Sequence, residues 1–315
     1  MTRRGRRALI ALGVLVGAWW LSGVVVLFLL TGRPRPPFEE PVPASEVGRF
    51  EVLRIPTRDG EELGAWFADS PDREAEDGSA ERVAVLLLHG YSGSRTWALP
   101  RMQAYVAHGH PILSLTLRAH GDSTGERVDY GLSSSNDVIA GIEFLEARLP
   151  GRPILIHGFS MGSAAAVFAA AELGDRIFAY VLDSPFETIS IATRNRTRRV
   201  LIQPLADIAW LALVAAAPLR LDIDELRLID TVRDIPGNTP VLVLSGELDT
   251  HALPSEARAI AAAIGTNAKV VSIPGATHDR LPETASSHYW SIVWTFIREC
   301  GVDDIPLADD DAARR

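Results

Sequence analysis

Pro153-Ile154-Leu155-Ile156-His157-Gly158-Phe159-Ser160-Met161-Gly162, continued by Ser163-Ala164-Ala165-Ala166-Val167-Phe168-Ala169, is the stretch that decides the fold. A short apolar run enters a Gly-x-Ser-x-Gly sequence and leaves as an alanine-rich helix, the strand-turn-helix context that a nucleophile elbow requires. Gly158 and Gly162 stand two residues either side of Ser160, where so sharp a turn leaves no room for a Cβ. Ser160 is therefore expected at the carboxyl end of a strand, strained and open to a ligand. The helix after it directs its positive end at the same spot and favours negative charge there.

Outward from this stretch the chain reads as an ordinary globular protein. Of its 315 residues, 47% are hydrophobic and 23% charged, enough for one sizeable core. The net charge is -9, the cations are arginines except for Lys269, and no basic stripe is present, which argues against a nucleic-acid partner. The single cysteine, Cys300, forms no intramolecular disulfide and is expected as a small apolar residue on the last helix. The eight histidines are scattered without metal-ligand spacing, so no metal and no cofactor are expected.

Ala8 to Leu30 is 23 residues without a charge. As a helix it reaches roughly 34 Å at about 1.5 Å per residue, enough to cross a hydrocarbon core of about 30 Å. The run is longer than a signal-peptide core and no small-x-small cleavage site follows directly, so 8–30 reads as a signal anchor. Residues 1–7 carry Arg3, Arg4, Arg6 and Arg7, which places the amino terminus in the cytoplasm and the rest of the chain beyond the membrane. Gly13 and Gly17 form a Gly-x-x-x-Gly pair, a candidate face for weak dimerisation. The Pro-rich residues 31–47 read as a stiff spacer that lifts the domain off the membrane.

The folded domain is expected over 48–300 and an acidic, disordered tail over 301–315. Residues 50–55 and 63–67 alternate around Asp59-Gly60 as a hairpin, followed by a charged loop from Ser70 to Glu81. From Val83-Ala84-Val85-Leu86-Leu87-Leu88 onward, strand and helix patterns alternate: helix 96–108, strand 111–117, helix 135–148, strand 153–157, helix 161–173, strand 177–182. They resume as strand 240–245, helix 254–264, strand 269–273 and a helix over 284–299. This is a doubly wound, mostly parallel α/β sheet with its site at the strands' carboxyl ends. The alternation breaks over 186–232, where an apolar helix, Leu205–Val214, lies behind Arg194, Arg196, Arg198 and Arg199. A lid belongs there; the segment reads either as a packing helix with a solvated arginine face or as a lid that touches lipid.

A nucleophilic serine needs a base, an acid to orient the base, and donors for an oxyanion. Asp249 follows the apolar run 241–244, and His278 follows the run 270–273. Ser160, Asp249 and His278 each stand at or just after the end of an apolar run. Asp183, at the end of another strand, is the alternative acid. His251 is expected at the rim, His89 and His120 as loop-holding hydrogen-bonders, His157 in the core and Asp279 in solvent.

These residues, with His89-Gly90, Arg118-x-His120-Gly121-Asp122-Ser123-x-Gly125, Gly246-x-x-Asp249 and Gly275-x-x-His278, make the chain resemble the α/β-hydrolase superfamily of serine esterases, lipases and peptidases over nearly all of 48–300. The resemblance implies Ser160 as nucleophile, His278 as base, Asp249 as acid, and the backbone N–H groups of Tyr91 and Met161 as oxyanion hole. These motifs are specific for the superfamily and not for a substrate; a small-molecule or lipid ester is the expected one. Two positions depart from the pattern: Ala119 stands where relatives often have glycine, and Thr116 where they often have aspartate. The reading is a membrane-anchored hydrolase of carboxylic esters. A peptidase, an acyltransferase or a non-catalytic membrane binding protein are its rivals.

Overall fold

The computed structural model describes residues 2–42, 50–69 and 82–301. The end of the spacer, the domain start at Gly48, the loop from Ser70 to Glu81 and the tail beyond Gly301 lie outside the described residues. Eight strands form one sheet: β1 (Phe50–Pro56), β2 (Glu62–Ala68), β3 (Ala84–Leu88), β4 (Ile112–Leu115), β5 (Ile154–Phe159), β6 (Ala179–Asp183), β7 (Val241–Gly246) and β8 (Ala268–Ile273). Their spatial order is β1-β2-β4-β3-β5-β6-β7-β8, antiparallel at β1/β2 and β2/β4 and parallel from there on.

Eleven α-helices are present among the described residues. They are α1 (Arg3–Thr31), α2 (Arg95–Ala107), α3 (Ser135–Arg148), α4 (Met161–Phe168), α5 (Ala170–Leu173), α6 (Ile189–Val200), α7 (Leu205–Ala216), α8 (Leu228–Thr231), α9 (Pro254–Ile264), α10 (Leu281–Thr284) and α11 (Ser286–Glu299). The helix expected over 161–173 is thus split at Ala169, and the irregular region 186–232 holds α6, α7 and α8.

The period-two alternation of the strands divides the core into two layers. From β3, Ala84, Leu86 and Leu88 join Val138, Ile142, Ala165 and Ile260 of α3, α4 and α9 on one face. Val85 and Leu87 join Met102, Tyr105, Val293 and Ile297 of α2 and α11 on the other. The alanines of α4 let that helix lie close under β5, which fixes the position of whatever the turn between them carries. The edge strand β8 is exposed on one side and bears Lys269, a feature that discourages pairing with another chain.

The amino-terminal arm, expected as a stiff spacer, is fastened to the domain. Arg33 donates to the carbonyls of Ser123 and Gly125, both at 2.9 Å, and of Gly121 at 2.6 Å. Glu40 is buried, and its carboxylate accepts from Arg95 Nη1 (3.1 Å), Thr116 Oγ1 (2.7 Å) and the Thr96 hydroxyl (2.9 Å). The physical reason is charge: Arg95 is fully buried and also bonds Asp122 at 2.6 and 2.8 Å, and Glu40 brings a second carboxylate to it. A proline-rich composition predicts stiffness but cannot show that one glutamate has a buried arginine to meet.

Glu40→Ala is therefore expected to destabilise the protein by about 2–4 kcal/mol. That is near the lower part of the range for breaking a buried ion pair, because Asp122 remains on Arg95. Denaturant titration measures it, and a change under about 0.5 kcal/mol would show the arm to be loosely held.

Candidate active site

Ser160 sits between the last residue of β5 and the first of α4, at φ +50 and ψ -109. L-residues avoid this conformation, and it persists only where the surroundings impose it. Here the Ser160 N–H donates to the Asp183 carbonyl at 2.8 Å. A Cβ at position 158 would stand 2.5 Å from the Ser163 nitrogen, and one at 162 would stand 2.6 Å from the Leu88 carbonyl oxygen. Both glycines are required by close backbone approach.

Asp249 lies in the loop after β7, and His278 in the loop after β8. Gly246 lets these loops touch, since a Cβ there would lie 2.4 Å from the Ala276 carbonyl oxygen. His278 Nε2 is 3.1 Å from Ser160 Oγ, and Nδ1 is 2.7 Å from Asp249 Oδ2. The other Asp249 oxygen accepts from the N–H groups of His251 (2.8 Å) and Ala252 (3.0 Å). Burial pushes the Asp249 carboxyl up, but His278 and these donors outweigh it and hold it below the usual carboxylate range. With Nδ1–H directed at a carboxylate, Nε2 is the free acceptor that faces the hydroxyl.

The alternative acid, Asp183, is engaged elsewhere. Its carboxylate is fully buried among Tyr289 Oη (2.7 Å), His157 Nε2 (3.2 Å) and Arg101 Nη2 (3.3 Å). His157 also meets Tyr105 Oη at 2.9 Å, inside the core. His89 is lowered to about 3 and His120 to about 4, first by burial. Both hold loops: His89 Nε2 accepts from the Leu117 N–H (3.0 Å), and His120 Nε2 from the Ser92 N–H (3.1 Å). Arg118, of the same motif, bonds Asp59 and Asp137, so that motif builds the loop.

Ligand atoms of Asp249, His251 and His278 lie within 4.8 Å of one another, a cluster of metal-binding residue types. The arrangement suits a metal poorly, because both His278 nitrogens are engaged and His251 meets the Arg199 guanidinium. Burial, His278, Arg196 and Arg199 lower His251 to about 4, which leaves a neutral ring 4.9 Å from that of His278.

Ser160, Met161 and Tyr91 share a cavity of about 400 Å³. Met161 opens α4 and Tyr91 follows β3, as the sequence placed them. The other walls escaped sequence reasoning. Ser22, Gly23, Val26 and Leu30 of α1 line the same cavity, with Ala192 and Arg196 of α6 and Ala212 and Leu213 of α7. Tyr130 lines it too, and its hydroxyl and that of Tyr91 donate to the Leu30 carbonyl at 3.1 and 3.2 Å. Arg196 donates to the Ala192 carbonyl at 3.0 Å, and among the described residues it makes no ion pair.

An eight-stranded, mostly parallel sheet with a serine on the elbow after β5 and an aspartate and a histidine on the loops after β7 and β8 has the architecture of an α/β hydrolase. The chain belongs to the alpha/beta hydrolase family, whose model matches residues 85–287. It is similar to the lysophosphatidylserine lipase ABHD12 of Danio rerio, 28% identical over 61% of this chain and 53% of that protein. It is also similar to the protein bem46 of Schizosaccharomyces pombe, 25% identical over 82% of this chain and 80% of that protein. The chain spans about half the length of the ABHD12 relative. Among solved structures, the Pyrococcus furiosus esterase Pf2001 superposes with a TM-score of 0.68 at 22% identity, over 84% of this chain and 96% of that one, a likeness of fold.

Proposed function

We propose that this chain is a membrane-tethered serine hydrolase that cleaves carboxylic esters through an acyl-enzyme. The observation that carries the reading is the unbroken hydrogen-bonded line Ser160–His278–Asp249, whose serine lines an apolar cavity. Ser160 Oγ attacks the ester carbonyl while His278 Nε2 takes its proton, and the ionised Asp249 stabilises the imidazolium. The Met161 and Tyr91 N–H groups receive the oxyanion; neither is taken up by a hydrogen bond among the described residues. His278 returns its proton to the leaving alcohol, and water then repeats the sequence on the acyl-enzyme.

The tether is α1, long and apolar enough to cross a membrane, with the arginines at its start on the cytoplasmic side. The test is fluorophosphonate labelling of the full chain, followed by hydrolysis of p-nitrophenyl esters of increasing acyl length. Absence of labelling in folded protein, with and without added lipid, would sink the reading.

Arg196 supports a substrate with a negative charge near the scissile ester, in keeping with the anionic lipid in the name of the ABHD12 relative. Burial pulls the Arg196 guanidinium down from its ordinary value, while the nearby Tyr130 and Asp249 raise it, and it stays a cation. Arg196→Gln is expected to reduce the preference for anionic over neutral lysolipid esters by about 10- to 100-fold in kcat/KM, the worth of one charge-assisted hydrogen bond. An unchanged ratio would remove Arg196 from substrate recognition.

A further inference from the structure

We propose that α1 is a substrate-binding element as well as an anchor. On this proposal its Ser22–Leu30 face and α6–α7 enclose an acyl channel that opens to the leaflet beside the domain, so a lipid ester enters sideways from the bilayer. The proposal rests on the hydrolase reading above and adds to it the route and the wall.

The argument begins with length. The 23 uncharged residues from Ala8 to Leu30 measure roughly 34 Å as a helix, little more than the hydrocarbon thickness of about 30 Å. Only the first half of this run is clear of the domain. From Trp19 onward α1 lies along α7: the Trp19 Nε1–H donates to the Ile208 carbonyl at 2.9 Å, and Leu27 packs with Leu213 and Ala216. The approach is close enough that a Cβ at Gly23 would stand 2.3 Å from the Ala212 carbonyl oxygen.

Residues 8–18 span roughly 16 Å, about half a bilayer, so α1 can cross only if α7 enters the adjacent leaflet with it. The outer face of α7 fits that place. Leu205, Ile208 and Leu211 stand one turn apart and are all exposed, and Val200 and Ile202 before them are 81% and 77% exposed. The one charge on α7, Asp207, is bonded to Arg194 and Arg198, cations placed to meet lipid headgroups.

The cavity above Ser160 lies between these helices. Its volume of about 400 Å³ is within the ordinary range for ligand sites, and Val26 of α1 lines it together with Ala209 and Ala212 of α7 and Ser160. The occupant that suits an apolar channel at this depth is the acyl chain of a bilayer lipid.

Two measurements on the full chain in phosphatidylcholine nanodiscs test the proposal. In a Cys300→Ala background, Ile208→Cys labelled with an environment-sensitive fluorophore is expected to emit as in hydrocarbon and to be quenched by lipids brominated on their acyl chains. Emission as in water, unquenched, would overturn the immersion of α7. Second, Val26→Trp narrows the channel and is expected to lower the kcat/KM ratio of dodecanoyl over butanoyl p-nitrophenyl esters by about tenfold or more. An unchanged ratio would overturn the role of α1 as a wall. Fluorophosphonate labelling of the wild type separates the failures: a protein that does not label loses the hydrolase reading and this proposal with it. One that labels but keeps its chain-length ratio loses this proposal alone.

Discussion

Ser160→Ala is expected to lower ester turnover about 10⁶-fold while leaving the fold intact. The Ser160 hydroxyl meets only His278, so its removal strands no buried carboxylate or guanidinium. The strained backbone is held by the Ser160 N–H and by the close approach of Gly158 and Gly162, and alanine keeps all of these. The change in stability should be under about 1 kcal/mol. Single-turnover kinetics with denaturant melts of the same preparation read both quantities. Retained turnover would mean that another group does the chemistry.

Asp249→Asn should cost about 10⁴-fold in kcat, again with little change in shape. Asparagine can bond His278 Nδ1 as a donor, which turns the imidazole into the tautomer whose Nε2 carries the proton. That nitrogen then has no lone pair for the Ser160 hydroxyl. Asp183→Asn is the informative control. It removes charge from a buried site shared with Arg101 and Tyr289, so it is expected to destabilise by about 3–5 kcal/mol and to leave turnover per folded molecule within about tenfold. The reverse pattern, a stable and inactive Asp183→Asn beside an active Asp249→Asn, would exchange the two roles.

Much of this was legible in the residues. The apolar runs before Ser160, Asp249 and His278 make strands, and a parallel sheet brings the carboxyl ends of its strands to one edge, so three residues far apart in sequence converge. Gly158 and Gly162 announce the turn in the same way. Ala119 was legible only as a departure: it sits at φ +59, a left-handed position that glycine takes without strain. Thr116 was another, and its hydroxyl bonds the Glu40 carboxylate, which the arm supplies from outside the sheet.

What stayed hidden depends on which surfaces of separate segments meet. Gly13 and Gly17 form a helix-pairing motif, and within this chain nothing beyond α1's own backbone lies within 4 Å of a Cβ built at either, so that face is open. Gly23, with no motif around it, makes the close contact with α7. For Arg196 a signal was present. Ile189, Ala192, Thr193 and Arg196 recur at three and four residues along α6 and all line the cavity, whereas Arg194 and Arg198 fall off that stripe and pair with Asp207. Read as a basic run, the four arginines look alike; read by helical period, one of them turns inward.

The clamped arm has a further consequence for where such an enzyme can work. Ten free residues would give a catalytic domain a reach of roughly 33 Å at about 3.3 Å per residue. Arg33 and Glu40 remove that slack by fastening the arm to the loop 121–125 and to Arg95. An enzyme fixed in this way cannot swing toward an apposed vesicle or a soluble carrier. On the proposal of a membrane-tethered hydrolase it would sample its own bilayer, and its rate would follow the mole fraction of ester in that surface, not the amount in bulk solution.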